Sequence, residues 1–378
     1  KIPDPNVVAL TVKSNSNSMS QTTMTSLLKA QALRLKYLTP NAYTSSIESK
    51  RTAVVIAATS GIGRACAGRL AEQGYTVIAV GRGNPPGRAA AIIEELTSKS
   101  RLSPANNINS NGNNNDNTNT RTLPKHEFYS CDAFSLSSIK QVTEQISSNH
   151  DSIDVLVLTQ GMATTQGFTP TIEGNDEKLT LHYYSRIAMT IGLLPLLLRN
   201  PVSSSNGSND GKCTATVLTI LSGGVHSPYD NIEEDPSLRN HYSIVNAANA
   251  AGYYNDLGFD YLSRLNNKNN NKNNIHFVHS VPGFVNTNWG QEFHPILRGI
   301  VRCLQVFGKS PEDCAEYMLS PTVFAIDAGE SLPDRLDDKS NGDSDRDDGG
   351  IHILGEYGQP MSLANKHTDH ARNVIWNH

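Results

Sequence analysis

The chain has 378 residues, 37% of them hydrophobic, a formal net charge of -4 and five cysteines, enough chain to bury a large core. Its charge sits in 334–348, where seven aspartates face Arg335, Lys339 and Arg346; the neutral remainder gives nucleic-acid binding no electrostatic basis. Cys66, Cys131, Cys213, Cys303 and Cys314 form no CxxC pair, which argues against a disulfide framework or zinc site and implies a reducing compartment.

Residues 13–47 are Ser/Thr-rich, basic and free of acids, as a mitochondrial transit segment would be. The simpler reading of 22–38 is a helix packing ahead of the first strand, which leaves the cytoplasm as the expected location. Ala53 to Ala58 then form a short apolar run suited to a buried parallel strand. After Gly63 the sequence changes to ACAGRLAEQG, with Ala65, Leu70 and Ala71 at helical spacing and Gly74 as a stop. TVIAV (76–80) reads as a second strand, so 53–80 make one βαβ unit. The small-residue turn in VVIAATSGIGRA (54–65) sets backbone N–H groups and a helix N-terminus where a pyrophosphate can sit.

Four polar runs, at about 103–119, 203–211, 266–274 and 337–350, are too Asn-, Ser- and Asp-rich to pack and read as disordered insertions. Each falls between a helical segment and the next strand (126–131, 215–221, 275–280 and 351–354). Such connections lie at the N-terminal edge of a parallel sheet, so the opposite, C-terminal edge is the expected working face. With the insertions removed, the expectation is one α/β domain: a Rossmann-type, doubly wound, mainly parallel sheet of about seven strands over 50–357. An extension (1–49) precedes it and a tail (358–378) follows. No apolar stretch approaches the roughly 20 residues that span a bilayer; GLLPLLL (192–198) is short and contains Pro195. A calcium-loop spacing in DRDDGGIHILGE (345–356) lacks a ligand at Gly349, and no metal is expected.

Residues 50–330 and 351–357 resemble the short-chain dehydrogenase/reductase family. The family's TGxxxGxG loop aligns with 56–63: Ile56 and Ala57 replace Thr and the first Gly, while Ser60, Gly61, Ile62 and Gly63 match. Ala57 adds a methyl where the turn wants the smallest residue, tightening cofactor access. Arg82 ends the second strand where an acid would bind the ribose of NAD; an Arg there suits a 2′-phosphate, so the resemblance implies NADP, with NAD possible. Asp132 aligns with an Asp near the adenine, or caps a helix. Gly161 alone matches the family's NNAG, and Pro282-Gly283-Phe284-Val285-Asn286-Thr287 keeps the PGxVxT loop at the nicotinamide end.

The family's catalytic Ser aligns with Ser222, to hold the substrate oxygen, and its Tyr with Tyr242, to move the proton. The family Lys four residues on, which binds the ribose and lowers the Tyr pKa, is Asn246 here; none of the 13 tyrosines has Lys at that spacing. The family's Asn of the preceding helix aligns with His182, which with His226 could supply charge or relay protons, although both also suit plain loop or core positions. The segment 286–308 suits a lid helix, and Ser310 a helix cap. The implied function is NADP(H)-preferring oxidation or reduction of a small carbonyl or alcohol substrate, in a homodimer by resemblance. The alternative is a catalytically weak or inactive NAD(P)-binding protein used in partner recognition or nucleotide sensing.

Overall fold

Seven strands, β1 (Thr52–Ile56), β2 (Thr76–Gly81), β3 (Glu127–Ser130), β4 (Val155–Leu158), β5 (Ala215–Ile220), β6 (Ile275–Ser280) and β7 (His352–Leu354), form one parallel sheet. The computed structural model describes residues 21–38, 51–83, 87–101, 123–199, 215–268, 275–288, 294–334, 350–363 and 366–378. The strand order is β3-β2-β1-β4-β5-β6-β7, every pairing parallel. The chain runs outward from β1 in one direction and then returns to β4 on its other side. That reversal opens a crevice above the C-terminal ends of β1 and β4, where ligands bind in sheets of this kind.

The helices are α1 (Gln21–Leu38), α2 (Gly61–Glu72), α3 (Arg88–Arg101), α4 (Leu136–Asn149), α5 (Glu177–Leu198), α6 (Ile244–Lys268), α7 (Pro295–Gln305), α8 (Pro311–Leu319) and α9 (Asp369–Asn377). Strand side chains alternate between two cores, as a sheet covered on both faces requires. Ala53, Val55, Val77, Ala79, Val155 and Val157 meet α1, α2, α3 and α8 through residues such as Tyr37, Leu70, Leu96 and Met318. Val54, Ile56, Ile78, Val80, Leu156 and Leu158 meet α4, α5 and α6 through Ile139, Leu193 and Phe259.

Three findings modify the sequence reading. The helix α5 is continuous over 22 residues and, by length and composition alone, could cross a bilayer. It is half buried within the fold and carries the fully buried Arg186, so it serves as a core helix. The polar run expected from 266 begins inside α6, which continues to Lys268; the rest of that run, and those at 103–119, 203–211 and 337–349, lie outside the described residues. The segment after 358, read as a tail, contains α9, whose Trp376 stacks on Tyr261 of α6 at 4.3 Å between ring centroids.

Candidate active site

Past Ile56 the chain turns through Ala57-Ala58-Thr59-Ser60 into α2, and Ala58 N–H donates to Val80 O at 3.1 Å. Ala57 has φ +62° and Gly61 φ +55°. The left-handed region costs an ordinary L-residue roughly 1–2 kcal/mol, so position 57 demands glycine-like backbone although it holds alanine. At Gly63 a Cβ would overlap the Ala57 carbonyl and Thr159 Oγ1; only glycine lets helix and turn approach so closely. Ser60 takes the N-cap position without a side-chain cap bond, so no side chain closes this end of α2. Free N–H groups at a helix N-terminus favour an anion. Ile62 packs on the core, and Thr287 sits over Gly61, its Cγ2 3.4 Å from where a Cβ would be.

Around this turn the other sequence candidates take different positions. Arg82 is exposed just past β2. Asp132, also exposed, accepts from Phe134 N–H at 3.1 Å and so makes a turn, while Ser135, not Asp132, caps α4. Gly161 lies beside His182, and exposed Gly283 and half-buried Pro282 begin a loop whose Val285 is buried and bridges to Lys309. A cavity of about 380 Å³ lies nearby, lined by Arg34, Arg64, Glu72, Glu95 and Lys99. These charges pair with one another (Arg64–Glu95, Arg34–Glu72, Lys99–Glu72), which makes it a salt-bridged recess.

Ser222 follows β5, and its Oγ is buried without a hydrogen-bond partner. A Cβ on Gly252 of α6 would come within 2.8 Å of that oxygen and would overlap His226. Ser222 N–H donates to His279 Nε2 at 3.2 Å, and His279 Nδ1 lies 2.6 Å from Asp256 Oδ1. This pairing makes His279 the Nδ1–H tautomer, with Nε2 as acceptor. Below the site, Arg186 donates to the carbonyls of Leu158, Gln160 and Ile220 and to Thr219 Oγ1, joining the ends of β4 and β5. Burial pushes its guanidinium down to about 9. A π turn, Thr180–Tyr184, carries His182 in α5; Met162 N–H donates to its Nε2 at 2.9 Å. Desolvation and the Arg186 charge push the His182 pKa down to about 3, so this ring stays neutral and carries no charge near pH 7. Desolvation also lowers the pKa of His226.

Tyr242 precedes α6 and has its own partners: it accepts from Lys178 Nζ at 2.8 Å and donates to Gln166 O at 3.3 Å, and the Phe168 ring meets it edge-on. Its hydroxyl is therefore not bonded to Ser222 Oγ. Burial and then the Asp176 charge push its phenol up to about 12. Asn246 is half-buried, and its Nδ2 donates back to His241 O at 2.7 Å. Sequence reasoning passed over Lys178 and Arg186. The available signal was spacing: Lys178, His182 and Arg186 recur every four residues along one helix face.

The family model of the short chain dehydrogenases matches residues 51–106, the span from β1 past α3. The oxidoreductase AN1596 of Emericella nidulans is 24% identical over 237 residues, covering 63% of this chain and 59% of that protein. The NmrA-like family domain-containing oxidoreductase notO of an Aspergillus species is 27% identical over 188 residues, covering 49% and 48%. The chain thus spans only about half to three-fifths of the length of these relatives. Among solved structures, the NADPH-bound carbonyl reductase from chicken fatty liver superposes with a TM-score of 0.49 at 16% identity, over 86% of this chain and 99% of that one. The matched βαβ segment, the doubly wound seven-stranded sheet and the glycine-dependent turn above β1 are together similar to the short-chain dehydrogenases.

Proposed function

We propose that the protein is an NADP(H)-preferring oxidoreductase that interconverts a carbonyl and an alcohol. The turn at 57–63 fits a dinucleotide pyrophosphate, because the Gly63 contact holds α2 close against the turn and Ser60 leaves the N-terminus of α2 without a side-chain cap. Arg82 would meet the 2′-phosphate, and Thr287 and the loop from Pro282 would border the nicotinamide end. When bound, the nicotinamide supplies or accepts the hydride at the reacting carbon.

The observation that carries the reading is the buried, unpartnered Ser222 hydroxyl. Leaving such a group unpaired costs about 1–3 kcal/mol, and a substrate carbonyl oxygen would satisfy it. Tyr242 is then the proton donor in reduction and acceptor in oxidation. With its phenol pushed up to about 12 it is protonated at neutral pH, ready to act as acid. Oxidation needs the phenolate, so its rate should climb with pH across the alkaline range, whereas reduction should hold at neutral pH.

The second reading, a nucleotide-binding protein without turnover, is favoured by the missing Ser222–Tyr242 hydrogen bond. A carbonyl-substrate screen following NADPH absorbance separates the two. Turnover that falls at least about 100-fold in Tyr242→Phe and Ser222→Ala supports the enzyme; firm NADPH binding with no turnover on any carbonyl class supports the second reading.

A further inference from the structure

We propose that Lys178, from the first turn of α5, supplies Tyr242 with the positive charge that Asn246 cannot, so that the proton-transfer pair is assembled from the start of α5 and the segment before α6. The inference rests on the oxidoreductase reading above. Lys178 is only 6% exposed, yet its Nζ is directed at the phenol: it lies 2.8 Å from Oη and donates to the Gln166 carbonyl at 2.5 Å. Tyr242 donates to the same carbonyl, so ammonium and hydroxyl are held against one backbone oxygen. A long lysine side chain buried in one geometry loses rotamer entropy, which makes a three-point arrangement of this kind informative.

The groups facing the phenol can be named from each side. From the start of α5 come Lys178 and Asp176, whose carboxylate also caps the helix by accepting from Leu179 N–H. Glu177 is held by Gln166 Nε2 at 2.7 Å. From the loop after β4 come the Gln166 carbonyl and the Phe168 ring, over which Arg239 lies. On the segment of Tyr242 itself, His241 pairs with Asp235. One turn further along α5, His182 is neutral. Lys178 is thus the cation in hydrogen-bond contact with the phenol, and Asp176 acts in the opposite sense.

In reduction, a bound reduced nicotinamide would supply the hydride for the new C–H bond; the Tyr242 O–H bond breaks and its proton forms the alcohol O–H. The phenolate left behind lies against the Lys178 ammonium until water returns the proton. Oxidation runs the same exchange in reverse. Lys178 touches neither substrate nor cofactor in this scheme; it is a positioning residue that acts through Tyr242.

The test is a pH titration of the full-length, cofactor-free protein carrying tyrosine labelled with carbon-13 at the ring carbon bearing the hydroxyl. Tyr242→Phe assigns the resonance. Wild-type Tyr242 should titrate about one to three pH units below its position in Lys178→Met. Lys178→Arg, which keeps the charge, should stay near wild type. If Lys178→Met does not fold, Lys178→Gln makes the same comparison, since it keeps a donor without the charge. The alkaline rise of the oxidation rate should move by the same amount as the phenol. Coincident titrations in wild type and Lys178→Met overturn the proposal. A shifted titration in a protein without turnover supports the Lys178–Tyr242 pair and overturns the oxidoreductase reading instead.

Discussion

Ala57 shows how a single methyl group can be read twice. From sequence it is a departure from a glycine motif; in the structure it is an alanine held at φ +62°. Ala57→Gly removes roughly 1–2 kcal/mol of left-handed strain but adds about 0.4–1 kcal/mol of unfolded-state entropy. A net gain between about 0 and 1.6 kcal/mol is therefore expected in urea denaturation, and a loss would show that the turn is relaxed around the alanine. The histidines also depend on their surroundings. Burial pushes His126 and His276 down to about 4 and His182 to about 3. The unfolded chain takes up protons on all three below about 6.5, whereas the fold resists doing so. Stability should therefore drop as pH falls from about 6.5 to 4, and urea midpoints at pH 7 and 5 measure the drop. Neither φ at 57 nor the desolvation of His182 was legible in the sequence, because both are set by residues distant along the chain.

At the scale of elements, one buried ionic group fixes how two helices meet. Asp260 of α6 is fully buried and accepts from Arg264, His367, Arg372 and Ile351 N–H, tying α6 to α9 and to the start of β7. Hydrogen bonding to His367 and the surrounding cations hold its carboxyl down at about 2 despite burial. A depressed carboxyl stabilises the fold above its unfolded pKa of about 3.9, and that contribution is lost as pH falls toward 2. Asp260→Asn should cost about 3–5 kcal/mol, since it leaves buried cations unpaired. Hydrogen exchange should then show α9 opening first; unchanged protection there would contradict the account of how it docks. The α5 helix explains the larger omission from the sequence. The recurrence of Lys178, His182 and Arg186 at every fourth residue was in the sequence, but nothing there says that this end of the helix meets Tyr242. Asn246 drew attention because it has a family position, and Lys178 escaped notice because it has none. Asn246→Lys should accordingly move the alkaline profile far less than Lys178→Met does.

Across the whole molecule, the seven strands, their parallel pairing and the βαβ start were legible, because fully buried strands read as short apolar runs bounded by turns. The helices and strands that flank the polar runs were legible for the same reason, although the run read from 266 starts inside α6. The connections from α3 to β3 and from α6 to β6 enter their strands at the N-terminal edge, opposite the turn at 57–63. Deleting 106–119 or 269–274 should therefore leave cofactor affinity within about twofold, and a tenfold loss would contradict the placement. The site was less legible than the sheet, since Ser222, Tyr242 and the α5 pair Lys178 and Arg186 come from three separate segments and only the first two residues have motif positions. The central claim is that the C-terminal edge of this sheet holds NADP(H) with Arg82 at the 2′-phosphate. Its most direct test is calorimetric titration of wild type and Arg82→Asp with NADPH and NADH. The account predicts that wild type binds NADPH at least about tenfold more tightly than NADH and that Arg82→Asp removes this preference. Equal affinities in wild type, or a preference that survives in Arg82→Asp, would contradict it.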